Sequence, residues 1–149
     1  MNGLPRNLLF ACTRNAVRSP MAEALARRWL GSGIFIDSAG VEPAPVNQFA
    51  VAVMDEVGLD IRCHRASTFE ELADCRFDLI VALSANANWE AETYAAGSRA
   101  SVEYWDIADP TLNDGSREQR LMAFRSVRSD LEARIRQRFP RDLTWSNPC

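Results

Sequence analysis

Cys12 and Arg18 lie six positions apart in the run Cys12-Thr13-Arg14-Asn15-Ala16-Val17-Arg18-Ser19. A thiolate can attack an electrophilic centre, and a guanidinium fork can bind two oxygens of a phosphate-like ion at once. Asp109, immediately before Pro110, is an acidic group following another expected strand. A nucleophile beside an anion clamp is what transfer of a phosphate-like group to sulfur requires. Each also has a plainer reading on residue type alone: the last core residue of a strand, a surface cation at a helix start, and an Asp-Pro turn.

The neighbouring residues say how these groups could be positioned. Asn7-Leu8-Leu9-Phe10-Ala11 is an apolar run that stops at Cys12-Thr13-Arg14-Asn15, which predicts a buried strand feeding a loop. Ser19-Pro20 predicts a helix start with Ser19 as N-cap and Pro20 first in the helix, and Gly31 and Gly33 end it. A loop that wraps onto a helix N-terminus turns backbone N–H groups inward and, with the helix dipole, makes an anion cradle. A cysteine at its base feels the same positive field, and such sites lower a thiol pKa from about 8.5 to roughly 3.5–7.5. Cys12 is therefore expected to be ionised at neutral pH.

Further strands are predicted at residues 34–38, 77–83 and 101–107, with helices at 47–57, 69–74, 86–96 and 117–139. The last carries an apolar stripe of Leu121, Phe124, Val127, Leu131 and Ile135. Strands alternating with helices argue for an α/β fold with a parallel sheet, right-handed crossovers and helices on both faces. Ligands of such sheets bind beyond the carboxyl ends of the strands, where the loops after Phe10 and Trp105 open. With 149 residues, 47% hydrophobic and 25% charged, residues 1–149 are expected to form one domain, with a poorly ordered tail at 140–149.

Composition removes many alternatives. All 17 basic residues are arginine, so Schiff-base chemistry and a Walker lysine are excluded. His64 is the single histidine, so multi-histidine metal sites cannot be built. Cys12, Cys63, Cys75 and Cys149 form no C-x-x-C pair, which leaves zinc ribbons and dithiol redox motifs unsupported. No metal and no cofactor are expected. A net charge of -3 with interspersed signs argues against nucleic-acid binding. No apolar run approaches the ~20 residues of a membrane span, and the N-terminus does not read as a secretory signal, so a cytoplasmic protein is expected.

Taken together, Cys12 to Arg18 followed by Ser19-Pro20-Met21-Ala22-Glu23-Ala24, then Asp37-Ser38-Ala39-Gly40, His64-Arg65-Ala66 and Asp109-Pro110, resemble the low-molecular-weight protein tyrosine phosphatase family. That family also contains the thioredoxin-type arsenate reductases, and the resemblance runs from about residue 7 to 139. It implies a three-layer, flavodoxin-like fold with a four-stranded parallel sheet. It also implies catalysis through a phosphocysteine without a metal, with Cys12 as nucleophile, Arg18 holding the phosphate and Asp109 as acid and then base. Thr13, Arg14, Asn15, Ala16, Val17, Arg18 and Ser19 would form the phosphate-binding loop. Ser19 would donate to the thiolate, and Ser38 and His64 would brace Asn15; a lone histidine near an apolar segment is in any case commonly structural.

The chain also departs from that pattern. Arg14 replaces a common glycine, and Val17 replaces a second cysteine that could trap an oxidised Cys12 as a disulfide. Thr111-Leu112-Asn113-Asp114 follows Pro110 where tyrosine-specific members carry aromatic side chains. Residues 105–128 look more like the arsenate reductase branch, yet Ser84-Ala85-Asn86-Ala87-Asn88-Trp89 supplies no resolving cysteine pair after the third strand. Three readings follow. The first is a metal-independent cysteine phosphatase acting on a phosphorylated protein, including phosphotyrosine, or on a small phosphomonoester. The second is an arsenate reductase resolved by a small thiol. The third is a non-catalytic module that binds phosphate or arsenate-like oxyanions.

Overall fold

A computed structural model describes residues 4–140; the expected 141–149 portion of the tail, with Cys149, lies outside the described residues. Four strands, β1 (Asn7–Cys12), β2 (Phe35–Gly40), β3 (Leu79–Ala82) and β4 (Ser101–Tyr104), alternate with four helices. These are α1 (Arg18–Leu30), α2 (Gln48–Asp55), α3 (Ala85–Ala95) and α4 (Arg117–Arg138), and two short 3₁₀ turns fall at Glu70–Leu72 and Pro110–Leu112. The sheet is wholly parallel, as the sequence predicts, and its strand order is β2-β1-β3-β4.

The two faces follow from the alternation of side chains along β1. Leu8 and Phe10 point to one face, with Ile36, Val81 and the inner stripes of α1, α2 and α4; Leu9 and Ala11 point to the other, with Ile80, Ala82 and the Ala87-Ala91-Ala95 face of α3. The predicted α4 stripe is buried throughout, from Leu121 to Ile135. Each such leucine, isoleucine or phenylalanine stabilises the fold by about 1.5–3 kcal/mol. Beside this core, Arg125 and Arg128 of α4 clasp Glu56 at the end of α2, at 2.8 Å each. Their hydrogen bonds lower its carboxyl to about 2, so this clasp adds stability above the ordinary glutamate range that is lost as pH falls toward 2.

Several boundaries differ from expectation for identifiable reasons. α1 starts at Arg18, not after a Ser19 cap: Val17 takes the cap position with no side-chain cap, and Met21 N–H closes the first turn on the Val17 carbonyl at 3.1 Å. The Ser19 hydroxyl is engaged elsewhere, and Pro20 remains in the first turn, where a missing N–H costs nothing. β2 extends to Gly40 because Ala39 and Gly40 pair with Ala11 and Cys12. β4 stops at Tyr104 rather than at residue 107, since the chain leaves the ladder to carry the Ile107 carbonyl toward Arg18. β3 is likewise shorter than 77–83, and the helix expected at 69–74 is only the first 3₁₀ turn. Asn47 caps α2, accepting from the N–H groups of Phe49 and Ala50.

Candidate active site

Cys12 ends β1 at the carboxyl edge of the sheet, 1% exposed. Between it and α1 the loop carbonyls face outward. Val41, Glu42 and Ala44 N–H groups donate to the carbonyls of Cys12, Thr13 and Arg14, and Asn47 N–H donates to that of Ala16, at 2.8 to 3.2 Å. His64 Nε2 lies 3.1 Å from the Asn15 carbonyl. In a trans peptide the C=O of one residue and the N–H of the next point opposite ways. The N–H groups of Thr13, Arg14, Asn15, Ala16 and Val17 are thereby turned inward, toward the space above Cys12, as an anion nest.

The turn itself requires Asn15, which adopts φ 53, a left-handed conformation that asparagine tolerates better than most side chains. It is fully buried, and every polar atom of its amide is engaged. Nδ2 donates to the Ser19 and Ser38 hydroxyls at 2.7 and 2.9 Å, while Oδ1 accepts from Ser67 N–H at 2.8 Å. His64 Nε2 also lies 3.2 Å from Oδ1. With two oxygen acceptors before it, that ring nitrogen carries the hydrogen. Gly40 lies directly beneath: a β-carbon there would come within 2.7 Å of Asn15 N and 2.8 Å of Arg14 C, so the loop can rest on the end of β2 only over a glycine.

Ser19 connects this brace to the sulfur. Its Oγ lies 3.0 Å from Cys12 Sγ and its N–H donates to the same sulfur at 3.4 Å. Because the oxygen already accepts from Asn15 Nδ2, its own hydrogen is free to point at sulfur. Ser38 in turn donates to Glu23 Oε1 at 2.6 Å. Glu23 is buried, pairs with Arg27 at 2.6 Å and has His64 Nδ1 at 4.0 Å. Burial raises its carboxyl above the ordinary range, against the opposing pull of the Ser38 hydroxyl and Arg27. A larger cavity, about 670 Å³, opens behind this brace beside Glu23, Cys63 and His64, and Cys12 does not line it.

Arg18 is 8% exposed. Its guanidinium donates to the carbonyls of Ile107 and Leu83 at 3.0 and 3.5 Å, beyond the ends of β4 and β3, and to Thr13 Oγ1 at 3.4 Å. Thr13 is anchored in turn to Ser84 and Asn86 at the start of α3. Asp109 Oδ2 lies 3.9 Å from Arg18 Nη2. Cys12, Thr13, Arg14, Ala16, Val17 and Arg18 form the floor of a cleft of about 410 Å³, with Ala44, Pro45 and Asn47 on one wall and Asp109, Thr111 and Leu112 on the other. Among the described residues, no aromatic ring lines it. Asp106, the other acid of this segment, is exposed and bonded to the Tyr104 hydroxyl at 3.4 Å.

The predicted residues Cys12 to Ser19, Ser38, His64 and Asp109 thus converge on one place. Glu23, Gly40 as a steric requirement, the Ser67 N–H, the Ser84-Asn86 anchor and the outward clamps from residues 41–47 were not legible as site elements. Cys63 is exposed and lines the larger cavity with Glu23 and His64, and Cys75 precedes β3 at the opposite end of the parallel sheet. Among the described residues no three His, Cys, Asp or Glu side chains are grouped to hold a metal ion, and no helix is long and apolar enough to cross a membrane.

Residues 7–144 match the family described as low molecular weight phosphotyrosine protein phosphatase. The chain is 33% identical over 129 residues to an arsenate reductase of Halalkalibacterium halodurans, covering 87% of this chain and 91% of that one. Among solved structures it is similar to an arsenate reductase in the phosphate binding state, at 32% identity and a TM-score of 0.72, covering 89% of this chain and 95% of that one. It is also similar to the tyrosine phosphatase Wzb of Escherichia coli K30 in complex with sulphate, at 29% identity and a TM-score of 0.73, covering 90% and 96%.

Proposed function

Since the chain belongs to the low molecular weight phosphotyrosine protein phosphatase family, we propose that it is a cysteine-dependent phosphatase that hydrolyses phosphomonoesters through a phosphocysteine. The observation that carries this reading is Cys12 Sγ held at 3.0 Å by Ser19 on the floor of a cleft whose wall brings Asp109 to 3.9 Å from Arg18.

The Cys12 thiolate attacks phosphorus, an S–P bond forms, and the ester P–O bond breaks as Asp109 protonates the departing oxygen. The inward N–H groups of residues 13–17 and the Arg18 fork hold the equatorial oxygens, where transition-state charge spreads. In the second step Asp109 takes a proton from water, whose oxygen attacks phosphorus while the S–P electron pair returns to Cys12. Ser19 stabilises that sulfur as it leaves. A module that only binds phosphate needs neither Cys12 nor Asp109. Among the described residues no ring lines the cleft walls, so none of them stacks on a phosphotyrosyl ring, and a small or flexible phosphomonoester fits as well as a phosphorylated protein.

Arsenate reduction is the second reading, supported by the names of similar proteins. In this chain it would run differently from a cysteine relay. Val17 lines the cleft with Cys12, Ser84 heads α3, and Cys75 lies at the other end of the sheet, so among the described residues no second cysteine lines the cleft and an external small thiol would attack the Cys12 sulfur. That thiol and Cys12 supply the two electrons, leaving arsenite and a mixed disulfide. Turnover of p-nitrophenyl phosphate and of arsenate with several small thiols, measured side by side, separates the two. The phosphatase reading expects thiol-independent release of phosphate; thiol-dependent arsenite formation with no release of nitrophenol would overturn it.

A further inference from the structure

Asp109 occupies the N-cap position of the Pro110–Leu112 turn, and its two carboxylate oxygens are treated differently. Oδ1 accepts from the Thr111 N–H at 3.0 Å and from the Thr111 hydroxyl at 2.6 Å. Oδ2 is left facing Arg18. The N–H bond is available from any residue other than proline at position 111, whereas the hydroxyl bond is particular to threonine or serine. Thr111 also lines the cleft, in the stretch where the tyrosine-specific proteins that the sequence resembles carry aromatic side chains.

We infer that Thr111 is a positioning residue for the general acid, holding Asp109 by Oδ1 so that Oδ2 alone meets the leaving oxygen. This rests on the reading of Asp109 as acid and base given above. The Asp109 side chain is 33% exposed and sits on a three-residue turn, so without a second tether its carboxylate can rotate toward water. A proton donor must lie within hydrogen-bond reach of the oxygen it protonates. The tether keeps one oxygen there through both half-reactions. It matters most for esters of poor leaving groups, whose departure depends on the proton.

The test compares kcat/KM, which reports phosphocysteine formation, for an alkyl phosphate and for an activated aryl phosphate. Thr111→Val keeps the shape of the side chain and removes the hydroxyl. It should lower kcat/KM for the alkyl ester about tenfold, the rate equivalent of one hydrogen bond, and leave the aryl ester nearly unchanged. Thr111→Ser should restore the alkyl rate, and Thr111→Ala, which has no branched methyl groups to disturb the turn, should repeat the Val result. An equal loss on both substrates, or no restoration by Ser, overturns the inference and makes the hydroxyl a cap of the turn. Asp109→Asn is measured alongside. It should slow the alkyl ester 10²–10⁴-fold, with Asp106→Asn as the control that should not. If Asp109→Asn lacks leaving-group dependence, the acid assignment itself has failed; if it has that dependence and Thr111→Val does not, only the role of Thr111 is refuted.

Discussion

Replacing Cys12 by serine should abolish turnover of phosphate esters to below detection while inorganic phosphate still binds. Serine is close to cysteine in shape, and the sulfur packs against Ser19 rather than filling a large core volume, so the loop should keep its course. A serine hydroxyl, however, is a much weaker nucleophile and a much poorer leaving group than a cysteine sulfur, so turnover is lost. Phosphate binding should persist because the cradle consists mainly of N–H groups from residues 13–17, fixed by carbonyl clamps that do not involve the sulfur. Turnover assays paired with calorimetric titration of phosphate check both halves. Wild-type activity in the serine variant would remove Cys12 from the chemistry, and loss of binding together with activity would mean that the sulfur holds the loop.

Arg18→Lys should be nearly as damaging, despite keeping the charge. Arg18 is anchored on the Ile107 and Leu83 carbonyls and on Thr13, and the planar fork still has N–H groups to offer a phosphate. A lysine ammonium has three hydrogens on one atom. Satisfying two buried carbonyls leaves it one, with no bidentate geometry. Losing a preformed donor to a developing oxyanion lowers kcat by about 10²–10³, and phosphate should weaken as a competitive inhibitor. Steady-state kinetics with p-nitrophenyl phosphate measure both. A variant within a few-fold of wild type would place the whole equatorial load on the backbone.

The sequence carried the parts whose signals are local. Residues 7–19 could be recognised as strand, loop and helix because apolar run, polar break and Ser-Pro follow one another, and α4 was legible to within a residue from its five-residue apolar stripe; the capping box of Ser116 and Gln119 that starts it is seen in the structure. Ser19 was misplaced as a cap for the opposite reason: Ser-Pro is also how an ordinary helix begins, and only the approach of Asn15 and Cys12 redirects its hydroxyl. Glu23 was invisible as a brace, since a glutamate four residues before an arginine in a helix reads as a surface pair, whereas here β2 covers it and supplies Ser38. The clamps from residues 41–47 and the Ser67 N–H are backbone groups. They have no side-chain identity to read, and only the packing of loop on loop reveals them.

The central claim, a covalent phosphocysteine at the floor of this cleft, is tested most directly by rapid acid quench of Asp109→Asn with p-nitrophenyl phosphate, followed by peptide mass spectrometry. The activated leaving group lets the first step proceed without its acid, while loss of the base slows hydrolysis. The account predicts a burst of about one nitrophenol per active site and one phosphoryl group carried by Cys12. A burst with the phosphoryl group on another residue, or steady turnover with no covalent phosphate, would contradict it.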